Sequence, residues 1–231
     1  MPFFIVFLAL VSNAGAVWMP LGAPRCEDTS GHQMPIAVTQ SSDGFIHMAV
    51  GSSPDERPSP NGQIQLYKFD ETSCGWRKEL PPIVGETTSW GKDLTVALSC
   101  DATTMAVGDR SKDGRFWRSF VQVYERQNGK NEWSKKRLVL VSVEDTYGFG
   151  VYIQLSCDGN TVVISTGYIS IVHIFEFDMN SQEWNEVPVP FWTLLANPPP
   201  TQFDLVSGML GPWRMILFGW PDQVILYHPD R

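Results

Sequence analysis

ALSCDATTMAVG, residues 97–108, recurs twice in the chain: as QLSCDGNTVVIS at 154–165 and as SSDGFIHMAVG at 41–51. Asp43, Asp101 and Asp158 hold one position in these copies, 58 and 57 residues apart. Each copy is followed by an alternating apolar stretch carrying an aromatic: QIQLYKFD at 63–70, FVQVYERQ at 120–127 and IVHIFEFD at 171–178. Each of those leads to a tryptophan, in CGWRKEL (74–80), NEWSKKRL (131–138) and QEWNEVPV (182–189). Tyr67, Tyr124 and Phe175 therefore share one repeat position, and Trp76, Trp133 and Trp184 another. From Trp76 to Asp101 and from Trp133 to Asp158 the distance is 25 residues. Self-similarity at a fixed period marks a repeat architecture.

Each unit reads as four short strands. Leu94–Leu98 alternates as a first strand, and the Ser-x-Asp turn reverses the chain through Asx chemistry. Thr104–Val107, Phe120–Glu125 and the tryptophan segment supply the other three. Four-stranded units at roughly 40–60 residues are propeller blades, which bury their faces by stacking on neighbours. A fourth unit follows, with strands predicted at 203–209, 215–218 and 223–227, but it lacks a tryptophan strand. The segment Val17-Trp18-Met19-Pro20-Leu21 has that form, and Trp18 precedes Asp43 by 25 residues. The fold class expected is all-β: a small β-propeller of four four-stranded blades at 34–82, 89–141, 147–190 and 201–231 plus 17–22. The N-terminal strand pairs with the C-terminal blade to close the ring, which removes exposed sheet edges.

The pattern G-x-x-V-x-L-S-x-D-G-x-x-x-A-V-G, followed by V-x-V-Y-x-R and a tryptophan, resembles FG-GAP-type propeller repeats of the kind found in integrin α-chain heads. Gly91–Gly108 with Val121–Arg126 and Trp133 carry the resemblance, as do Gly148–Ser165 with Ile174–Phe177; Ser42–Gly51 with Leu66–Phe69 match more loosely. The resemblance implies a propeller; four repeats depart from that family's usual seven blades. Many members bind calcium in a D-x-D-x-D-G loop between strands two and three. Here that loop is Asp109-Arg110-Ser111-Lys112-Asp113-Gly114, with two carboxylates and two intervening cations. Calcium takes six to eight oxygen ligands, so no metal site is expected.

The 231-residue chain has a formal net charge of −8, which disfavours nucleic acid and anionic membrane partners. Pro2–Val11 is a continuous apolar run, and Ser12-Asn13-Ala14-Gly15-Ala16 ends in an A-x-A site. This reads as a signal peptide over 1–16, leaving a mature chain from Val17 that is secreted or held in the lumen of the secretory pathway. No segment reaches the roughly 20 apolar residues of a spanning helix. The cysteines, Cys26, Cys74, Cys100 and Cys157, lack zinc-ligand spacing. Propeller parity puts Cys26 on the opposite face from the other three. Of those, Cys74 with Cys100 is the preferred pair, while Cys100 and Cys157, at equivalent positions, are expected a blade apart and unpaired.

Parity also places the 2–3 loops and 4–1 connectors on one face. The long 2–3 loops of the first two repeats bring there Asp55, Glu56, Arg57, Arg110, Lys112, Asp113, Arg115 and Trp117. A mixed-charge loop face with an aromatic is a binding surface for a protein or glycan partner. No catalytic residue and no cofactor is assigned. His32, His47, His173 and His228 lie in no nucleophile motif, Glu125 and Glu176 are repeat features, and the repeat tryptophans read as packing residues; Trp117 and Trp192 are the candidates for sugar stacking. The reading is an extracellular non-enzymatic interaction module, monomeric or dimeric. The alternatives are a glycan-active propeller enzyme and a truncated propeller without independent function.

Overall fold

Alternating β-branched and aromatic residues broken by Asp, Ser and Gly turns favour short antiparallel strands. The computed structural model describes residues 7–12, 15–20, 35–52, 62–85, 94–113, 116–127, 130–141, 149–166, 172–187, 202–207, 214–219 and 224–227. They form strands and turns. No helix among the described residues is long and apolar enough to cross a membrane.

The first sheet runs β3 (Ile36–Gln40), β4 (Ile46–Ser52), β5 (Gln63–Asp70) and β6 (Gly75–Lys78), with β7 (Ile83–Val84) also on β5. The second is β8 (Thr95–Leu98), β9 (Thr104–Asp113), β10 (Phe116–Arg126) and β11 (Trp133–Val141). The third is β12 (Phe149–Leu155), β13 (Thr161–Thr166), β14 (Val172–Asp178) and β15 (Glu183–Val187). The last has three described strands, β16 (Gln202–Ser207), β17 (Arg214–Gly219) and β18 (Val224–Tyr227). Among the described residues every pairing in these sheets is antiparallel, and each joins sequence neighbours except β7, which returns to β5.

The registers match the repeat. Met48 faces Tyr67, Met105 faces Tyr124, Val162 faces Phe175 and Ile216 faces Tyr227. Trp76 lies opposite Phe69 and Trp184 opposite Phe177, with ring centroids 5.3 and 5.2 Å apart. These tryptophans pack on the third strand of their own sheet.

Two apolar clusters lie between sheets. Ala49, Ile64 and Leu66 of the first sheet meet Met105, Val107 and Tyr124 of the second. Ala97, Ala106, Val121 and Val123 of the second meet Ile153, Leu155, Val162, Ile164 and Phe177 of the third. The second sheet is thus buried on both faces, and the stacking is β-propeller-like.

The Ser-x-Asp turns are built alike. The Ser99 hydroxyl donates to Asp101 at 2.7 Å and accepts from the Thr104 amide at 2.9 Å; Ser156 does the same with Asp158 and Thr161. In the third sheet's turn Gly159 has φ +68° and presses against Thr104 of the second, where a Cβ would stand 2.5 Å from the Thr104 oxygen.

Two expectations are corrected. The segment Gly108–Arg118 is not a long loop: β9 and β10 continue in register to Asp113 opposite Phe116. The alternation of Arg110, Lys112, Phe116 and Arg118 with neighbouring residues suits an extended ribbon. Cys100 and Cys157, expected apart, form a disulfide with Cα atoms 4.4 Å apart, and Cys74 is free and exposed. Stacked sheets bring equivalent turns together: the Cys100 amide donates to the Cys157 carbonyl at 3.1 Å. Cys26 lies outside the described residues. The segment read as the closing strand, β2 (Gly15–Pro20), pairs with β1 (Phe7–Ser12) among the described pairings.

Candidate functional site

The second sheet carries an extension. Among the described residues, β8 engages β9 over Met105–Gly108 and β11 engages β10 from Phe120 to Arg126. Beyond this body, Asp109–Asp113 and Phe116–Phe120 pair with each other, Arg110 opposite Ser119 and Lys112 opposite Trp117. Asp109, at the base, is 1% exposed. Residues 109–119 include Arg110, Lys112, Arg115 and Arg118 against Asp109 and Asp113, a basic arm on a chain of net −8. Of the expected binding residues, Arg110, Asp113 and Trp117 share this ribbon; Asp55, Glu56, Arg57 and Arg115 lie outside the described residues.

At the other end of the sheets, charged side chains cross between neighbours. His47 on β4 is buried, and its Nδ1 lies 2.9 Å from Glu79, just after β6. The other Glu79 oxygen accepts from Arg126 of the second sheet at 2.8 Å. The His47 hydrogen bond, then that from Arg126, holds the Glu79 carboxyl at about 2, against the opposing effect of burial. One sheet further, Lys136 reaches from β11 to Asn160 at 3.0 Å and lies 4.1 Å from the Phe177 ring centroid. Burial lowers the Lys136 pKa.

Sequence reading did not find this network, although a signal existed. Glu79, Lys136 and Val187 each follow a repeat tryptophan by three residues, a position from which Glu79 and Lys136 reach the next sheet.

The Ser41 hydroxyl lies 3.4 Å from His47 Nε2, so serine, histidine and glutamate fall in line. The Ser41 hydroxyl is also within hydrogen-bond reach of the Asp43 carboxylate and lies 3.0 Å from the Phe45 carbonyl, either of which competes with His47 for its one proton. Ser99 and Ser156 do the same turn work without a histidine. A nucleophile needs that proton directed at the base.

A cleft of about 330 Å³ lies beside this turn, lined by Phe45, Lys68, Asp70 and Arg77 among others. Lys68 Nζ sits 3.2 Å from the Phe45 centroid, a cation–π contact, and Asp70 pairs with Arg77. The Ser73 hydroxyl, then the Thr72 amide, lower the Asp70 pKa. The cations are thus engaged within the cleft. No group of three or more potential metal ligands occurs among the described residues.

No protein-family model matches the sequence, and no curated protein sequence matches it. Solved structures are similar to it to different degrees. A protein described as a 6-phosphogluconolactonase from Bacteroides uniformis superposes with a TM-score of 0.51 at 12% identity, over 97% of this chain and 63% of its own. TolB from Acinetobacter baumannii, a β-propeller, gives 0.42 at 15% identity over 92% of this chain and 45% of its own. The chain spans less than two thirds of either. At these identities the likeness concerns fold alone.

Proposed function

We propose that the protein is an extracellular, non-enzymatic interaction module that binds an acidic partner through the face bearing the 109–119 arm. The arm carries this reading: a ribbon running past its sheet, with four cations, Phe116 and Trp117, on an otherwise acidic chain. Charge of that sign steers and orients an acidic surface, and the aromatics supply the apolar anchor. Asp55, Glu56 and Arg57 belong to the same face by repeat parity. A disulfide between neighbouring sheets suits the oxidising route implied by a signal peptide at 1–16. The same reading takes the four sheets as FG-GAP-like blades of one ring, closed by residues 17–22.

The test is a binding screen of the secreted chain against extracellular protein domains and a glycan array. The reading expects a partner whose binding weakens at least tenfold in Arg110→Glu/Trp117→Ala and is unchanged in Lys68→Ala on the opposite face. Loss only in the Lys68 variant, or turnover of a glycan, contradicts it.

A further inference from the structure

The repeat supplies its own baseline, and the first unit departs from it around one cleft. Val38 pairs with Met48, ten residues on, whereas Leu98 pairs with Met105 and Leu155 with Val162, seven on. The first hairpin therefore carries three more residues at the same register. The second sheet's turn reaches the first at Thr39, whose hydroxyl donates to the Cys100 carbonyl at 3.3 Å. Ser41–Phe45 continue past that contact, and Phe45 becomes one wall of the cleft of about 330 Å³.

Two cations enter at the same place. The residue after the repeat aromatic is Lys68 in the first unit but Glu125 and Glu176 in the next two; the residue after the tryptophan is Arg77 but Ser134 and Asn185. Lys68 and Arg77 stand directly opposite in the ladder, as Glu125 does to Ser134 and Glu176 to Asn185. Like charges directly opposite destabilise a sheet, so strand pairing does not account for this pair. Asp70 answers Arg77 but is shared with the Ser73 hydroxyl at 2.7 Å and the Thr72 amide at 3.0 Å. The Arg77 side chain remains 70% exposed. Lys68 rests on the Phe45 ring, and Phe45 is still 43% exposed. Glu71 stands exposed at the rim.

We propose that this cleft is a second binding site, for a small organic anion: one ring carrying a carboxylate or another oxyanion group. The oxyanion lies between the Lys68 ammonium and the Arg77 guanidinium and relieves their repulsion, and the ring lies against Phe45. The volume sets the size. Ligand pockets run from roughly 300 to 1,000 Å³, so about 330 Å³ suits a single ring rather than a chain. The site is independent of the arm: Lys68 variants lose this anion and keep the arm's partner.

The test titrates the secreted chain with benzoate and glucuronate, an aromatic and a sugar carboxylate, and with benzamide, the neutral counterpart of benzoate, following backbone amide signals by NMR. The expected result is saturable shifts at Phe45, Lys68–Thr72 and Arg77 from at least one carboxylate, the tighter of the two naming the ring, and none from benzamide. Binding is expected to weaken about tenfold or more in Arg77→Gln, which removes a charge-assisted hydrogen bond. No saturable shift from either carboxylate overturns the proposal. So does benzamide matching benzoate, which marks an apolar crevice, or inorganic sulfate matching both, which marks bare surface charge. Unchanged binding in Arg77→Gln contradicts it as well. The comparison of benzoate with benzamide uses the unaltered chain, so it decides the question whether or not that variant folds.

Discussion

Cys100 and Cys157, 57 residues apart in sequence, are bonded across two stacked sheets with their Cα atoms 4.4 Å apart. They occupy equivalent turns, so the bond fixes the spacing of one sheet against the next. Closing a loop of this length is worth about 2–4 kcal/mol through the unfolded chain. Cys100→Ser is therefore expected to lower unfolding stability by that amount in denaturant titration, and Cys157→Ser to match it. Peptide mapping should find Cys74 alkylated and Cys100 linked to Cys157; a Cys74–Cys100 link would contradict the stacking.

That bond shows what the sequence made legible. The repeat aromatics, tryptophans and Ser-x-Asp turns gave the succession of strands in each unit, because period-two patterning and turn chemistry are local. Equivalent positions in stacked sheets come face to face, and that is tertiary: it brought Cys100 to Cys157 where a blade's separation was expected. The 109–119 arm was misread for a related reason, since its Gly114 and charges resemble a loop while its register with Phe116–Phe120 depends on cross-strand pairing. The Glu79 network sat at a repeat position whose identity changes from anion to cation to valine, hiding it from a search for sameness.

Glu79 links the first two sheets electrostatically. Its folded-state pKa, about 2, lies below the ordinary 4.5. Its contribution is therefore fully present above about pH 4.5 and is lost as pH falls towards 2. Glu79→Gln should cost about 2 kcal/mol at neutral pH, because the His47 and Arg126 partners lose their anion. In acid titration followed by tryptophan fluorescence, the variant should lose less stability than the parent across that window.

Gln65 and Gln122 are buried at one repeat position, and each donates from Nε2 to two backbone carbonyls: Gln65 to Leu66 and Leu80, Gln122 to Val123 and Lys136. Replacement by Leu strips those carbonyls of a side-chain donor. Each variant should lose about 1–3 kcal/mol, measured by thermal unfolding, with Gln65→Leu and Gln122→Leu close to each other.

Gly159 and Gly44 separate backbone strain from packing. Both have positive φ, +68° and +88°, but only Gly159 has a neighbour in the way, Thr104 at 2.5 Å from a built Cβ. Gly44→Ala should cost about 1 kcal/mol, and Gly159→Ala about 2–4 kcal/mol as overpacking is added. Equal costs in chemical denaturation would contradict the close approach of the third sheet to the second.

The central claim is that the stacked sheets close into one self-contained unit in the secreted protein. Intact mass together with light scattering on protein recovered from the medium tests it most directly. The account predicts a monomer beginning at Val17, with a radius of gyration of about 17 Å in solution scattering. A dimer, or a chain retaining Met1, would contradict it.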